Sequence, residues 1–207
     1  MTGAHDSVGA LTPASERILD TASRLFYAHG IHAVGVDRIA EESGVTKKTL
    51  YDRFGSKEKL ALTYLRRRED QWRNALDRLL SLRPEHSIER VLAVFDAADL
   101  WYTGRSTKGC SAVNARAEAG PDATAQPIPI EVTAQKTWML ERFQELCAEA
   151  GFDQPDVLAR HLLLILEGAL VTLGTQSFDE PMRVARAAAA TILDAALPHL
   201  QTPKGEV

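Results

Sequence analysis

Apolar residues recur at helical spacing along almost the whole chain, and no stretch sustains the alternation that a half-buried strand shows. Gly30, Gly44 and Gly55 follow the first three apolar-periodic segments, where a glycine commonly ends a helix. The segments TGRSTKG (103–109) and GPDATAQPIP (120–129) are predicted to be loops. The pattern predicts an all-α protein of about nine helices, over residues 13–28, 36–43, 47–54, 57–82, 87–102, 111–119, 130–150, 154–176 and 181–197.

The second and third predicted helices form a helix-turn-helix pattern. VDRIAEES is followed by GVT and then by KKTLYDRF, so two short helices are joined by a three-residue turn that contains a glycine. Ala40 is small enough for two helices to approach closely, and Leu50 and Phe54 can hold KKTLYDRF against its neighbours. The outer face of this helix is predicted to carry Thr46, Lys47, Lys48, Thr49 and Tyr51.

Charge is distributed unevenly along the chain. The protein has a formal net charge of −4, yet residues 1–80 hold 13 Lys and Arg against 11 Asp and Glu, a net of +2. Five cations and two anions lie between residues 43 and 59. Positive charge on one short segment of an acidic protein indicates a polyanionic partner for that segment. A solvated amphipathic helix without a partner is the other interpretation of the same charges.

The residue types on the predicted outer face fit double-stranded DNA. In helix-turn-helix motifs the second helix enters the major groove, and its N-terminal residues reach the edges of the bases. Lysine can donate to the O6 and N7 atoms of guanine. Hydroxyl groups of Thr and Tyr, and backbone amides such as those at Ser56 and Lys57, suit phosphate oxygens.

The words ILDTASRLFYAHG and VDRIAEESGVTKKTLYDRFGSKEKL, between Ile18 and Leu65, resemble the DNA-binding domain of TetR-type transcriptional regulators. The resemblance implies an N-terminal three-helix, homeodomain-like helix-turn-helix domain over residues 1–56. It implies a helical ligand-binding and dimerisation domain over residues 57–207. A protein of this kind is usually a repressor that binds a near-palindromic operator as a homodimer and leaves it when a small, largely apolar effector binds.

Particular DNA contacts are also implied by the resemblance, position by position. The helix-turn-helix of this chain departs from the family pattern at Gly35, where relatives often carry a Thr or Ser that caps the next helix and touches phosphate. Glycine is an acceptable N-cap, but it supplies no hydroxyl contact. The implied DNA-contacting residues are Thr46, Lys47, Lys48 and Thr49 for bases or phosphates, Tyr51 and Lys57 for phosphates, and Arg38 for the DNA backbone.

The last two predicted helices are apolar on more than one face. VLARHLLLILEGALVTLGTQ is rich in leucine, and RVARAAAATILDAAL is built from small residues. A helix that is apolar on several faces is buried on several faces. The resemblance implies that residues 154–176 and 181–197 form a four-helix bundle with a second subunit. A monomeric core is the other interpretation.

An effector pocket is predicted among the fourth to eighth helices, because aromatic walls with sparse polar groups are typical of small-molecule sites. Core packing is the alternative for each aromatic residue. A loop cap or a bond to a neighbouring helix is the alternative for Asn114 and Glu118, and a hydrogen-bonded core position is the alternative for His161. The candidate effector residues are Trp101, Tyr102, Asn114, Glu118, Trp138, Phe143, His161 and Leu164.

The sequence offers little support for other kinds of chemistry. His29 and His32 have a spacing seen in metal sites, but Gly30 breaks the helix between them and no third ligand is close in sequence. No cysteine-based zinc spacing, phosphate loop or cofactor fingerprint is present, so neither a metal nor a cofactor is expected. No signal peptide or membrane span is recognised, and a cytoplasmic protein is expected.

The leading hypothesis is a ligand-responsive DNA-binding regulator rather than an enzyme. Its alternatives are a constitutive regulator, or an enzyme that uses Glu118, His161 or Glu167 as acid or base.

Overall fold

The computed structural model describes residues 11–102, 108–120 and 126–197. Most of the two predicted loops, at 103–109 and 120–129, lies outside these ranges, as does the polar tail after residue 197. The described residues form nine α-helices and no strand, which confirms the predicted fold class. The helices are α1 (Pro13–His29), α2 (Val36–Ser43), α3 (Lys47–Phe54), α4 (Lys57–Leu80), α5 (Ile88–Tyr102), α6 (Ser111–Ala117), α7 (Pro127–Glu149), α8 (Pro155–Thr175) and α9 (Pro181–Ala196).

The ends of the N-terminal helices follow from local chemistry. Thr46 is the N-cap of α3, and its side chain accepts a hydrogen bond from the Thr49 backbone N–H. Gly44 ends α2 in the left-handed conformation, at φ 66°, which glycine adopts without steric cost. Gly35 is the N-cap of α2 and makes no side-chain cap bond. The turn between α2 and α3 is therefore specified by the residues within it.

The largest difference from the predicted helices is at the start of α7. The helix begins at Pro127, whereas the sequence predicted a loop as far as Pro129 and a helix from Ile130. Two prolines in PIPI had indicated the loop. Proline is tolerated in the first turn of a helix, because the N–H groups of that turn have no partner within the helix.

The chain divides into two compact units. Unit 1 comprises residues 1–68 and 111–132, and unit 2 comprises residues 69–110 and 133–207. Unit 1 therefore includes α6 and the beginnings of α4 and α7, in addition to the helix-turn-helix. The predicted domain boundary between residues 56 and 57 did not group residues 111–132 with the N-terminal domain. As a division of function, this boundary stays a prediction.

The core of unit 1 is formed by one face from each of its helices. Ile18 and Leu25 of α1, Ile39 of α2 and Leu50 of α3 are completely buried. Ala115 of α6 belongs to the same cluster, which places α6 against the helix-turn-helix helices. Arg66 and Glu131 add an ion pair of 2.8 Å between α4 and α7, in which the Glu131 side chain is almost fully buried.

The core of unit 2 is built around two phenylalanines. Phe95 of α5 and Phe143 of α7 are completely buried, and their ring centroids lie 5.8 Å apart. Ala185 and Ala189 of α9 are buried in the same cluster, where small side chains permit close helix packing. Helix α8 is long and apolar enough to cross a membrane by length and composition, a test that core helices of globular proteins also meet. Its buried residues belong to the core of unit 2.

The two cysteines of the chain differ in their surroundings, and this difference predicts their reactivity. Cys147 lies in the core of unit 2, and burial raises the pKa of its thiol to about 12. Cys110 is partly exposed. Because a thiolate is the reactive form, iodoacetamide at pH 8 is expected to alkylate Cys110 and to leave Cys147 unmodified until denaturant is added. Peptide mass spectrometry checks this, with Cys110→Ser as the control. Equal labelling of both thiols in the folded protein would contradict it.

Candidate nucleic-acid interface

Helix α3 turns one face into the core of unit 1 and leaves most of its remaining surface open. Leu50 and Phe54, four residues apart, are buried at 0% and 8% exposure. Lys47, Lys48 and Tyr51 are exposed, and Tyr51 retains 41% of its surface. Lys48 lies on the far side of α3 from this buried pair, whereas Lys47 and Tyr51 lie three positions from Leu50 and Phe54, at the edge of the buried face. The burial of Leu50 and Phe54 therefore fixes the direction in which the lysines and the tyrosine are presented.

The N-terminus of α3 is rigidified by two hydroxyl groups. The Thr46 Oγ1 atom accepts from the Thr49 backbone N–H at 3.1 Å. The Oγ1 atoms of Thr46 and Thr49 also lie 2.8 Å apart, so the two side chains are hydrogen-bonded to each other. Both residues are candidate DNA contacts. Their hydroxyl groups retain lone pairs and lie at the end of the helix that carries the positive pole of its dipole.

Both lysines of α3 are held by carboxylates. The Lys47 Nζ lies 2.8 Å from Asp37 on α2, and the Lys48 Nζ lies 2.7 Å from Asp52 on the next turn of α3. The hydrogen bond from Lys47 to Asp37 raises the pKa of the lysine. Exposed ion pairs of this kind contribute little to stability. A phosphate or a base can therefore replace either carboxylate at low cost.

Arg38 belongs to a network on the surface of α1 and α2. Its Nε donates to Glu42 at 2.7 Å, and Arg24 donates to the other oxygen of the same carboxylate at 2.5 Å. The hydrogen bond from Arg24, followed in size by the one from Arg38, lowers the pKa of Glu42. The His29 ring nitrogen lies 3.4 Å from the Arg38 guanidinium. Arg38 is thus exposed but pre-positioned, as a contact to the DNA backbone requires.

Lys57, at the start of α4, is engaged differently from the lysines of α3. Its Nζ donates to the backbone carbonyl of His32 at 3.2 Å, and burial lowers the pKa of its ammonium. The neighbouring Ser56 side chain caps α4 by accepting from the Lys59 backbone N–H at 3.1 Å. The implied phosphate contact of Lys57 therefore competes with a contact inside the protein.

The candidate effector residues are divided between the two units. Asn114 and Glu118 belong to unit 1, and the other six belong to unit 2. The Glu118 carboxylate accepts from the backbone N–H groups of Ile31 and His32, in the turn between α1 and α2. His161 and Leu164 are exposed on α8, and Leu164 retains 71% of its surface.

Within unit 2, the predicted effector residue Trp101 borders a groove. It packs edge-on against Trp72 at 6.1 Å between ring centroids. The groove has a volume of about 250 Å³ and is lined by Trp101, Leu79 and Leu100 among others. Trp138 is half-buried beneath the guanidinium of Arg73, 4.1 Å from its centroid, and Tyr102 packs against the core. Phe143 lies inside the core rather than at this groove.

Several of these contacts could have been found from the sequence, and others could not. The pairs Lys48–Asp52 and Arg38–Glu42 have the spacing of neighbours on a helix face, which is visible in the sequence. The contact between Glu118 and Ile31 joins residues 87 positions apart. No local pattern indicates these partners, although a loop cap was one of the two roles that the sequence left open for Glu118.

Comparison with known proteins places this geometry in a family. Residues 18–64 match the model of bacterial regulatory proteins of the tetR family. The transcriptional activator FasR of Mycolicibacterium smegmatis is 43% identical over 65 residues, which are 30% of each chain. YxaF, an uncharacterized HTH-type transcriptional regulator of Bacillus subtilis, is 52% identical over 48 residues, 23% of this chain and 25% of its own. The matches thus span less than a third of either relative.

Solved structures extend the likeness to nearly the whole chain. SCO4454, a TetR-family transcriptional regulator from Streptomyces coelicolor, is 33% identical with a TM-score of 0.81. The likeness covers 88% of this chain and 95% of that one. A TetR-type regulator from Streptomyces avermitilis is 26% identical with a TM-score of 0.73, over 89% of this chain and 98% of its own.

The local geometry and the wider likeness agree with each other. The capped α3 helix, with its exposed lysines and its buried Leu50 and Phe54, lies within the stretch that matches the family model. The similarity to the Streptomyces coelicolor regulator covers both compact units rather than the helix-turn-helix alone. The chain belongs to the TetR family of bacterial regulatory proteins and is a helix-turn-helix transcriptional regulator.

Proposed function

We propose that this protein is a ligand-responsive repressor that binds a near-palindromic operator as a homodimer. It acts in the cytoplasm and is released from DNA by a small, largely apolar molecule. The observation that carries the proposal is the presentation of Lys47, Lys48 and Tyr51 on a short helix that Leu50 and Phe54 anchor in the core. The remaining features support its dimeric and effector-binding parts.

DNA binding is proposed to occur by exchange of ion-pair partners. In the absence of DNA, Asp37 and Asp52 hold Lys47 and Lys48. In the major groove, guanine atoms or phosphates take the place of these carboxylates, so the lysines exchange one anionic partner for another. The hydroxyls of Thr46, Thr49 and Tyr51 and the guanidinium of Arg38 contact the phosphate backbone. Lys57 is the exception among the candidates, because the His32 carbonyl already engages its ammonium.

Dimer formation is supported by apolar surface on the last two helices. Leu164 and Val171 of α8 are 71% and 59% exposed, and Val184 of α9 is 52% exposed. Contiguous exposed apolar surface typically marks a site of association. A second copy of the same face covers these residues, and the two α3 helices then read two half-sites about one turn of DNA apart.

Effector binding is supported by the groove beside Trp101, whose walls are apolar apart from Arg78. A constitutive regulator is the second candidate. The complete burial of Phe143 against Phe95 favours a constitutive regulator, since this predicted effector residue packs inside the core.

An enzyme has no comparable support. Glu118 accepts backbone hydrogen bonds, while Glu167 forms an ion pair of 2.7 Å with Lys136.

The proposed DNA contacts predict a sequence-specific interaction that depends on Lys48. Purified protein mixed with sheared genomic DNA at moderate salt is expected to retain fragments that share a near-palindromic motif. Lys48→Ala is expected to weaken binding to that motif by roughly tenfold and to relax the preference at one position of each half-site. Titration against single-base variants of the motif measures both effects.

Arg78→Ala, titrated without any added effector, is the control, because it removes one cation from unit 2, where Arg78 lines the groove beside Trp101. It should leave the preference unchanged. Retention of DNA without a shared motif would reduce the interaction to its non-specific electrostatic part. A reporter gene placed behind the motif then measures whether the protein represses or activates transcription. FasR, one of the similar proteins, is named as an activator.

The proposed dimer predicts that a charge on the exposed face of α8 prevents association. Leu164→Glu is expected to weaken self-association by at least about tenfold, because it buries an unpaired carboxylate in the interface. Leu82→Glu is a matched control, since Leu82 is 74% exposed and lies outside α8 and α9. Sedimentation velocity over a concentration series measures both variants. Dissociation by Leu82→Glu alone would move the interface to another surface.

The proposed effector response predicts coupling that is equal in both directions. A compound that raises the melting temperature of the protein is expected to weaken operator binding, and the operator is expected to weaken binding of the compound by the same factor. Calorimetric titrations with and without the operator measure the two factors. A library of apolar compounds in which none affects either melting or DNA binding would favour the constitutive regulator.

A further inference from the structure

The turn between α1 and α2 is held by a carboxylate from a distant part of the sequence. Glu118, the residue after α6, accepts from the Ile31 N–H through Oε1 at 2.9 Å and from the His32 N–H through Oε2 at 2.5 Å. Each carboxylate oxygen thus satisfies one backbone donor of the turn. Charge-assisted bonds to backbone amides are stronger than those between neutral groups.

Gly30 is required for this carboxylate to come so close. Its φ of +86° is strained for any residue with a side chain, and a Cβ placed there would lie 2.8 Å from the Glu118 Oε1. A larger residue would therefore displace the carboxylate as well as strain the backbone. The end of α1 is shaped to admit Glu118, which distinguishes this contact from an accidental meeting of surface side chains.

Lys57 holds the other side of the same turn. Its Nζ donates to the His32 carbonyl at 3.2 Å, while Glu118 takes the His32 N–H. The Glu118 carboxylate also attracts the Lys57 ammonium. Burial lowers the pKa of Lys57, and this attraction raises it in part. We use the name "turn clamp" for Glu118, Lys57 and the backbone of Ile31 and His32. It connects α6 and α4 to the segment that leads into α2.

The position of the turn bears directly on the DNA-binding helices. Residue 35, three positions after His32, is the N-cap of α2. Ile39 of α2 and Leu50 of α3 are completely buried in one cluster, so a displaced turn displaces both helices. Ala115 places α6 against this same cluster, three positions before Glu118. All of these contacts lie within unit 1.

We propose that Glu118 is a positioning residue for DNA binding, which acts with Lys57 through the turn clamp to hold α2 and α3 in the geometry that fits DNA. This role rests on the proposed DNA-binding function. It gives Glu118 a task other than the effector contact that the sequence suggested. It also makes Lys57 part of the support of the interface rather than a phosphate ligand.

The test compares Glu118→Gln with Glu41→Gln. Glu41 is an exposed residue of α2 in the same unit, so both variants remove one negative charge near the interface. Hydrogen exchange measured by NMR is expected to accelerate roughly tenfold at the Ile31 and His32 amides in Glu118→Gln and to stay unchanged in Glu41→Gln. Unchanged exchange in both variants would overturn the clamp.

The second readout is affinity for the operator motif over a series of salt concentrations. Removal of an anion alone strengthens DNA binding, and Glu41→Gln measures that effect. Glu118→Gln is expected to bind roughly tenfold more weakly than Glu41→Gln, with the same salt slope. Equal affinity of the two variants would overturn the positioning role.

Lys57→Met provides a further check on the arrangement. If Lys57 acts through the clamp, its loss weakens binding without changing the salt slope, whereas loss of a phosphate contact lowers the slope by about one. The double variant Glu118→Gln/Lys57→Met is expected to be no weaker than the weaker single variant. Additive losses, or a lowered slope, would overturn the shared role. A wild-type protein with no specific operator would instead overturn the proposed function, whatever the exchange rates.

Discussion

The burial of Leu50 and Phe54 is the constraint on which the functional surface depends. Helix α3 has eight residues, and an isolated helix of that length is unstable in water. Each of these two side chains contributes roughly 2 kcal/mol when it is buried. Their partners come from α1 and α2, so the helix exists only as part of the cluster that orients it. The exposed lysines therefore have a defined direction because their helix is anchored through Leu50 and Phe54.

Local acidic partners explain how a net-negative protein carries a cationic surface. Lys47, Lys48 and Arg38 each have a carboxylate within 2.8 Å. These pairs hold extended side chains near one conformation, which reduces the entropy that is lost when DNA binds. They also offset part of the positive charge of this surface, because each of these cations lies next to a carboxylate.

The sequence was sufficient to predict most of the secondary structure, because the signals for helices are local. The bounds of α2 and α3 are set by Gly35, Gly44, Thr46 and Gly55, and these were predicted correctly. The start of α7 was wrong, since prolines compatible with a first helical turn were interpreted as a loop. A loop cap was one of the roles left open for Glu118, but its partners Ile31 and His32 could not be predicted. This contact depends on how the chain returns to α1, and no spacing rule encodes a contact across 87 positions.

The return of residues 111–132 to unit 1 limits how the protein can be recombined with its relatives. A chimera joined at residue 68 would keep the first 68 residues but would take α6 and the start of α7 from another chain. Such a hybrid would lose the complementarity between Gly30 and Glu118, and it would keep Arg66 without its Glu131 partner. A functional graft of unit 1 therefore has to transfer two separate segments, residues 1–68 and 111–132, because the unit is discontinuous in the sequence.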